Sequence, residues 1–146
     1  MKRSPVMRSM RFAMLAAVAS ALALAVPALA SAPRSGALQV TKECSDYHGF
    51  AGEHCTITSS NLGAIPAGSK VVYTSAAGAS GVLDSDLVVY TRGANAAYGH
   101  VVIDLGTGSG TVTLAGGTGQ FKKFSASVAV SPLGGVNFAW GGSYSY

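Results

Sequence analysis

The stretch Leu114–Tyr146, LAGGTGQFKKFSASVAVSPLGGVNFAWGGSYSY, decides the fold class of this chain. From Phe124 onward the apolar residues fall on Ala126, Val128 and Val130, while Ser125, Ser127 and Ser131 take the alternate positions. A period of two puts one set on each face of an extended strand. After Pro132-Leu133-Gly134-Gly135 the large side chains Val136, Phe138, Trp140, Tyr144 and Tyr146 again share one parity. The reading is two antiparallel strands, entered by a Gly116-Gly117-Thr118-Gly119 turn and joined by a Pro-Leu-Gly-Gly turn.

The other end of the chain has a different grammar. Lys2, Arg3, Arg8 and Arg11 form a basic start, followed by an apolar run from Phe12 to Ala32 with A-x-A triplets at Ala28–Ala30 and Ala30–Ala32. That order is the pattern of an export signal, so residues 1–32 read as a signal peptide and 33–146 as one exported domain. The competing reading is an uncleaved anchor, since the run approaches the length of a spanning helix. Pro27 and the two cleavage triplets argue for removal and no stable membrane anchor.

Removing the leader changes the charge. The formal charge of +4 equals the four basic residues of the leader. Beyond Ala32, Arg34, Lys42, Lys70, Arg92, Lys122 and Lys123 are balanced by Glu43, Asp46, Glu53, Asp84, Asp86 and Asp104. A nucleic-acid partner would require a basic stripe, and only Lys122-Lys123 is locally basic, so that class is set aside.

The domain is rich in glycine, serine, threonine, alanine and valine and poor in lysine, glutamate and leucine, which disfavours helix and suits strands joined by glycine turns. Strands are expected at Leu38–Cys44, His54–Ser59, Lys70–Ser75, Val82–Thr91, Tyr98–Leu105 and Thr111–Ala115, before the two quoted above. Eight short strands with hairpin-length connections predict an antiparallel up-and-down barrel, with a β-sandwich as the alternative. Closure removes exposed strand edges, which favours the barrel.

GGTGQF at Gly116–Phe121, LDSDLVVYT at Leu83–Thr91 and the Gly-His strand Gly99–Asp104 together resemble the allene oxide cyclase and dirigent superfamily, in its secreted bacterial form. The resemblance spans most of Cys44–Tyr146. It implies an eight-stranded barrel, often a homotrimer, holding a hydrophobic small molecule or a reactive intermediate. The acidic, Arg and Tyr residues of the plant members do not align onto this chain, so no catalytic residue is carried over.

Cys44 and Cys55 are the only cysteines. Behind an export signal they predict a disulfide across Ser45–His54. A zinc site using His48 and His54 is the alternative, but His54 and Cys55, as strand neighbours, point to opposite faces. No metal and no cofactor are expected.

Three groups could carry chemistry. Asp84 and Asp86 share a strand face, where burial and like charge would make one a general acid, or where solvent would leave both inert. His100 poses the same choice. Among the aromatics, Tyr90, Tyr98 and Trp140 are candidates for lining a ligand pocket, against ordinary packing or a subunit interface. No nucleophile elbow, phosphate loop or H-E-x-x-H is present. Two functions follow: a binder of a hydrophobic molecule, or an isomerase or cyclase of the type the resemblance implies. A structural role at the cell envelope is the third.

Overall fold

A computed structural model describes residues 34–146, and the expected signal peptide lies outside the described residues. The chain forms eight strands: β1 (Ser35–Glu43), β2 (His54–Ser60), β3 (Lys70–Tyr73), β4 (Val82–Tyr90), β5 (Ala96–Asp104), β6 (Ser109–Thr118), β7 (Ser125–Gly134) and β8 (Asn137–Ser145). Each pairs antiparallel with its sequence neighbour, and β8 returns to β1, so the sheet closes as an up-and-down barrel. The barrel expectation therefore holds and the open sandwich is excluded.

Alternation decides which side chains fill the interior. β1 turns Leu38, Val40 and Lys42 inward; β4 turns Leu83, Ser85, Leu87 and Val89. β5 adds Ala97, Val101 and Ile103, β7 adds Ala126, Val128 and Val130, and β8 adds Trp140, which is fully buried. An eight-stranded barrel is just wide enough for such side chains to fill its axis. One end is stoppered by Ile65 of the β2–β3 connection and by Phe121 and Phe124, whose rings meet edge to face at 5.2 Å.

The glycine-rich stretch differs from its sequence reading. Gly116, Gly117 and Thr118 continue β6, and the chain turns only at the short 3-10 helix Gly119–Phe121. Gly117 lies so close to β5 that an added Cβ would meet Ala96 O at 2.0 Å. Here glycine serves close strand approach, beside the register shift between Ala97 and Gly99. Likewise Pro132, Leu133 and Gly134 belong to β7, with a register shift between Pro132 and Gly134. The turn itself is Gly135-Val136, with Gly135 at φ +58°.

At the end opposite Phe121 the Cys44–Cys55 disulfide is formed, with an S–S distance of 2.05 Å. It joins the exit of β1 to the entry of β2. Charge is uneven along the axis. Glu43, Asp46, Glu53 and Asp104 belong to the disulfide end, where Lys70 also reaches His54 at 3.0 Å, whereas Arg34, Arg92, Lys122 and Lys123 belong to the Phe121 end.

The short loop closed by the disulfide places its stabilisation near 3 kcal/mol in the chain-entropy description. A Cys44→Ala/Cys55→Ala variant should lose about that much in a urea unfolding experiment. An unchanged midpoint would show that the loop is held by other contacts.

Candidate functional site

β1 alternates Leu38-x-Val40-x-Lys42-x-Cys44, so closure of the barrel sends the Lys42 side chain inside with its apolar neighbours. Lys42 is only 3% exposed. Its Nζ donates to the hydroxyl of Tyr73, at 2.5 Å. It also sits over the rings of Trp140, Tyr73 and Phe138, at 5.1, 5.3 and 5.8 Å from their centroids. No carboxylate pairs with it among the described residues.

Taking an ammonium out of water penalises the charged form. Burial lowers the Lys42 amine from an ordinary 10.5 to about 7, while the three ring faces act in the opposite sense by favouring the cation. Tyr73 is affected the other way: burial and then the nearby Tyr47 push its hydroxyl above the usual value, so it stays a phenol. Tyr73 OH also lies 3.5 Å from Cys55 Sγ, which places the disulfide beside the amine–phenol pair.

A small cavity of about 30 Å³ opens at this end, lined by Lys42, Tyr47, Tyr73, the disulfide, Leu105 and Phe138, among others. That is room for about two waters. The Tyr47 hydroxyl is buried on its wall without a hydrogen-bond partner, and the Tyr47 ring packs at 4.9 Å on Tyr73. Trp140 Nε1 is likewise buried and unpartnered. An amine, a phenol and an indole N–H thus gather near one barrel end, and buried polar groups of this kind favour an acceptor brought to them.

The residues singled out by sequence are dispersed by the same closure. Asp84, Asp86 and His100 stand on the outer wall, where register pairs Asp86 with His100. His100 Nε2 lies 2.7 Å from Asp84 Oδ1 and its Nδ1 2.8 Å from Asp86 Oδ1. Only the imidazolium can donate to both carboxylates. The Asp86 bond first, then the Asp84 bond, raise the His100 pKa above its ordinary value. With both nitrogens engaged the ring is a cross-strand clamp between β4 and β5. Tyr90 and Tyr98 project from the outer wall, 53% and 46% exposed, whereas Trp140 points inside, so the three do not share a pocket. His48 meets Glu53 at 3.2 Å and His54 faces Asp46 at 3.4 Å. With both cysteines joined to each other, neither is a thiolate ligand.

Larger depressions lie elsewhere on the barrel. The most apolar, of about 520 Å³, lies at the Phe121 end beside Arg34, Gln120 and Tyr146. Another follows the outer wall past His100. Neither is lined by a buried ionisable group, so volume and chemistry point to different places, and chemistry favours Lys42. No protein-family model, curated protein or solved structure matches this sequence.

Two pH dependences follow. Between about 7 and 10.5 the unfolded chain holds a proton on Lys42 that the folded chain has released, so stability attributable to this group rises with pH across that window. Lys42→Met should therefore be more stable than the wild type at pH 6, on the order of 4 kcal/mol, with the gap shrinking towards pH 10. Parallel urea curves at the two pH values would refute the buried-cation reading. For His100 the raised folded pKa means that the clamp is fully stabilising below the unfolded value near 6.5 and is lost as pH rises through the folded value. An NMR titration should place His100 above 6.5, and Asp84→Asn/Asp86→Asn should bring it down.

Proposed function

We propose that this exported barrel binds a small, uncharged molecule at its disulfide end, with an acceptor oxygen directed to Lys42 and an apolar body on Leu105 and Phe138. The observation that carries this reading is the buried amine, which has no carboxylate partner and borders a cavity. Burying an amine without a counter-charge costs stability, and a ligand oxygen that accepts from Lys42 and Tyr47 offsets part of that cost.

The surroundings define the ligand further. The axis is filled by Trp140, Phe121, Phe124 and the aliphatic rows, so the apolar part seats at the mouth instead of running along the barrel. Leu105 is 41% exposed there and offers it a surface. Glu43, Asp46, Glu53 and Asp104 outnumber Lys70 at the same end, so an anionic ligand meets net like charge on approach. An uncharged carbonyl or hydroxyl compound fits these constraints better than a fatty carboxylate.

The sequence resemblance to allene oxide cyclase and dirigent barrels supports a role in handling such molecules. The second reading, an isomerase or cyclase of that kind, is favoured by the contact between Lys42 and Tyr73. An amine near neutrality is a workable base at physiological pH, and the neutral Tyr73 phenol holds it by a hydrogen bond. The signal-peptide pattern and the disulfide support an extracytoplasmic location. No helix among the described residues is long and apolar enough to cross a membrane.

Matched six-membered rings test the reading. Cyclohexanol should produce saturable amide shifts at Lys42, Tyr47, Leu105 and Phe138, and cyclohexanecarboxylate should bind more weakly. Lys42→Met should weaken cyclohexanol binding about tenfold, corresponding to one charge-assisted hydrogen bond. Equal binding by the variant, or shifts confined to the outer wall, would overturn it.

A further inference from the structure

We infer that Lys42 is a carbonyl-capturing amine, which condenses with a small aldehyde at the disulfide end to give an imine. This rests on the site proposed above and names the chemistry that distinguishes it. The inference stands first on geometry. The Nζ is enclosed by Trp140, Phe138 and Tyr73, bonded to one phenol, and borders a cavity that reaches the mouth. A cavity of about 30 Å³ admits a one- or two-carbon carbonyl group and little else. A larger apolar remainder would lie outside it, against Leu105.

Condensation needs an amine with a free lone pair, and ordinary surface lysines rarely offer one at neutral pH. Lys42 meets that need because desolvation disfavours its ammonium form, as it does for amines that form Schiff bases elsewhere in protein chemistry. The charged and titratable groups around it act in known senses. Tyr73 of β3 and Tyr47 of the β1–β2 loop face it as neutral phenols, and β8 offers only the Phe138 and Trp140 rings. Glu43, the next residue along β1, takes the opposite parity and is partly exposed.

The step balances without an oxidant or reductant. The Nζ lone pair forms a bond to the carbonyl carbon, and the C=O π pair moves to oxygen, which takes a proton to give the carbinolamine. The nitrogen then gives up its second hydrogen as the C–O bond breaks, and one water leaves with the former carbonyl oxygen. Tyr73 OH lies 2.5 Å from Nζ, close enough to pass a proton from the nitrogen side to the departing hydroxyl. Tyr73 is a positioning and proton-relay residue in this scheme, and Lys42 is the group that bonds to substrate. The absence of a carboxylate partner for Lys42 among the described residues matters here, since an ion pair would hold the amine protonated.

The test is reductive trapping on the intact exported domain. Acetaldehyde and cyanoborohydride are added at pH 7, and the modified lysine is located by peptide mass mapping. The expected result is N-ethylation of Lys42 at least tenfold faster than of the exposed Lys70, Lys122 and Lys123. The Lys42 rate should rise and then level off just above pH 7, whereas an amine of ordinary lysine basicity gains about tenfold in free base with each pH unit across the same range. Tyr73→Phe should slow trapping while leaving the circular dichroism spectrum intact, and Lys42→Met should remove the adduct from that strand. Adducts confined to the exposed lysines, or a Lys42 rate that follows theirs with pH, would overturn the inference. Cyclohexanol cannot form an imine, so its amide shifts report the non-covalent site separately. Shifts without trapping remove only the covalent step, whereas loss of both removes the binding site as well.

Discussion

The nine-residue register between β1 and β8, from Ser35 against Ser145 to Glu43 against Asn137, closes the sheet on itself and gives every strand an inside and an outside. Every strand has a hydrogen-bonded neighbour on each side, so no strand stands at an open edge of the sheet, although the β1–β2, β2–β3 and β3–β4 ladders are short. Because side chains alternate, that single closure assigns the whole interior at once. Leu38 and Val40 go in, and Lys42 is carried in with them. A one-residue slip of β1 would free the lysine but would turn Leu38 and Val40 to solvent. The aliphatic residues hold the register, and the buried amine is the consequence.

The barrel accommodates that amine without an ion pair. Three aromatic faces and a phenol surround it, which weakens the charged form less than a purely aliphatic wall would. Replacement by a well-packed apolar side chain would be expected to suit folding better. A costly polar group beside a cavity and two unpartnered donors is the kind of local conflict found where a protein does its chemistry. The outer wall shows the opposite economy. His100 between Asp84 and Asp86 has every ring nitrogen satisfied and is open to solvent, so it braces β4 against β5 and has no lone pair to offer.

The two ends of the barrel also differ in kind. The Phe121 end is stoppered by large apolar rings and bears Arg34, Arg92, Lys122 and Lys123. The disulfide end is only partly closed, by Tyr47, Phe138 and the bridge itself, and is rimmed by carboxylates. Four carboxylates there face one lysine, Lys70, which reaches His54 at 3.0 Å, so that end carries more acidic than basic groups.

Much of this was legible in the residues. The period-two runs of β4, β7 and β8 and the hairpin-length gaps specify an antiparallel meander, and a chain with two cysteines offers one bridge, Cys44–Cys55. The glycines misled in detail, because Gly116 and Gly117 look like a turn, whereas both continue β6 and Gly117 lies against Ala96 of β5. The Leu38-x-Val40-x-Lys42 parity contained the key residue, yet a lysine in a strand is ordinarily solvated and reads as surface charge. Asp84, Asp86 and His100 drew attention because acids and histidines are the usual catalytic types, although their parity opposite Leu83 and Leu87 already placed them outside. The sequence by itself determined strand count, alternation and the disulfide, since these depend on neighbours along the chain. Only the tertiary structure decided that Lys42, Tyr73, Tyr47 and Trp140 meet. They come from β1, β3, a loop and β8, and closure of the ring is what brings those elements around one axis.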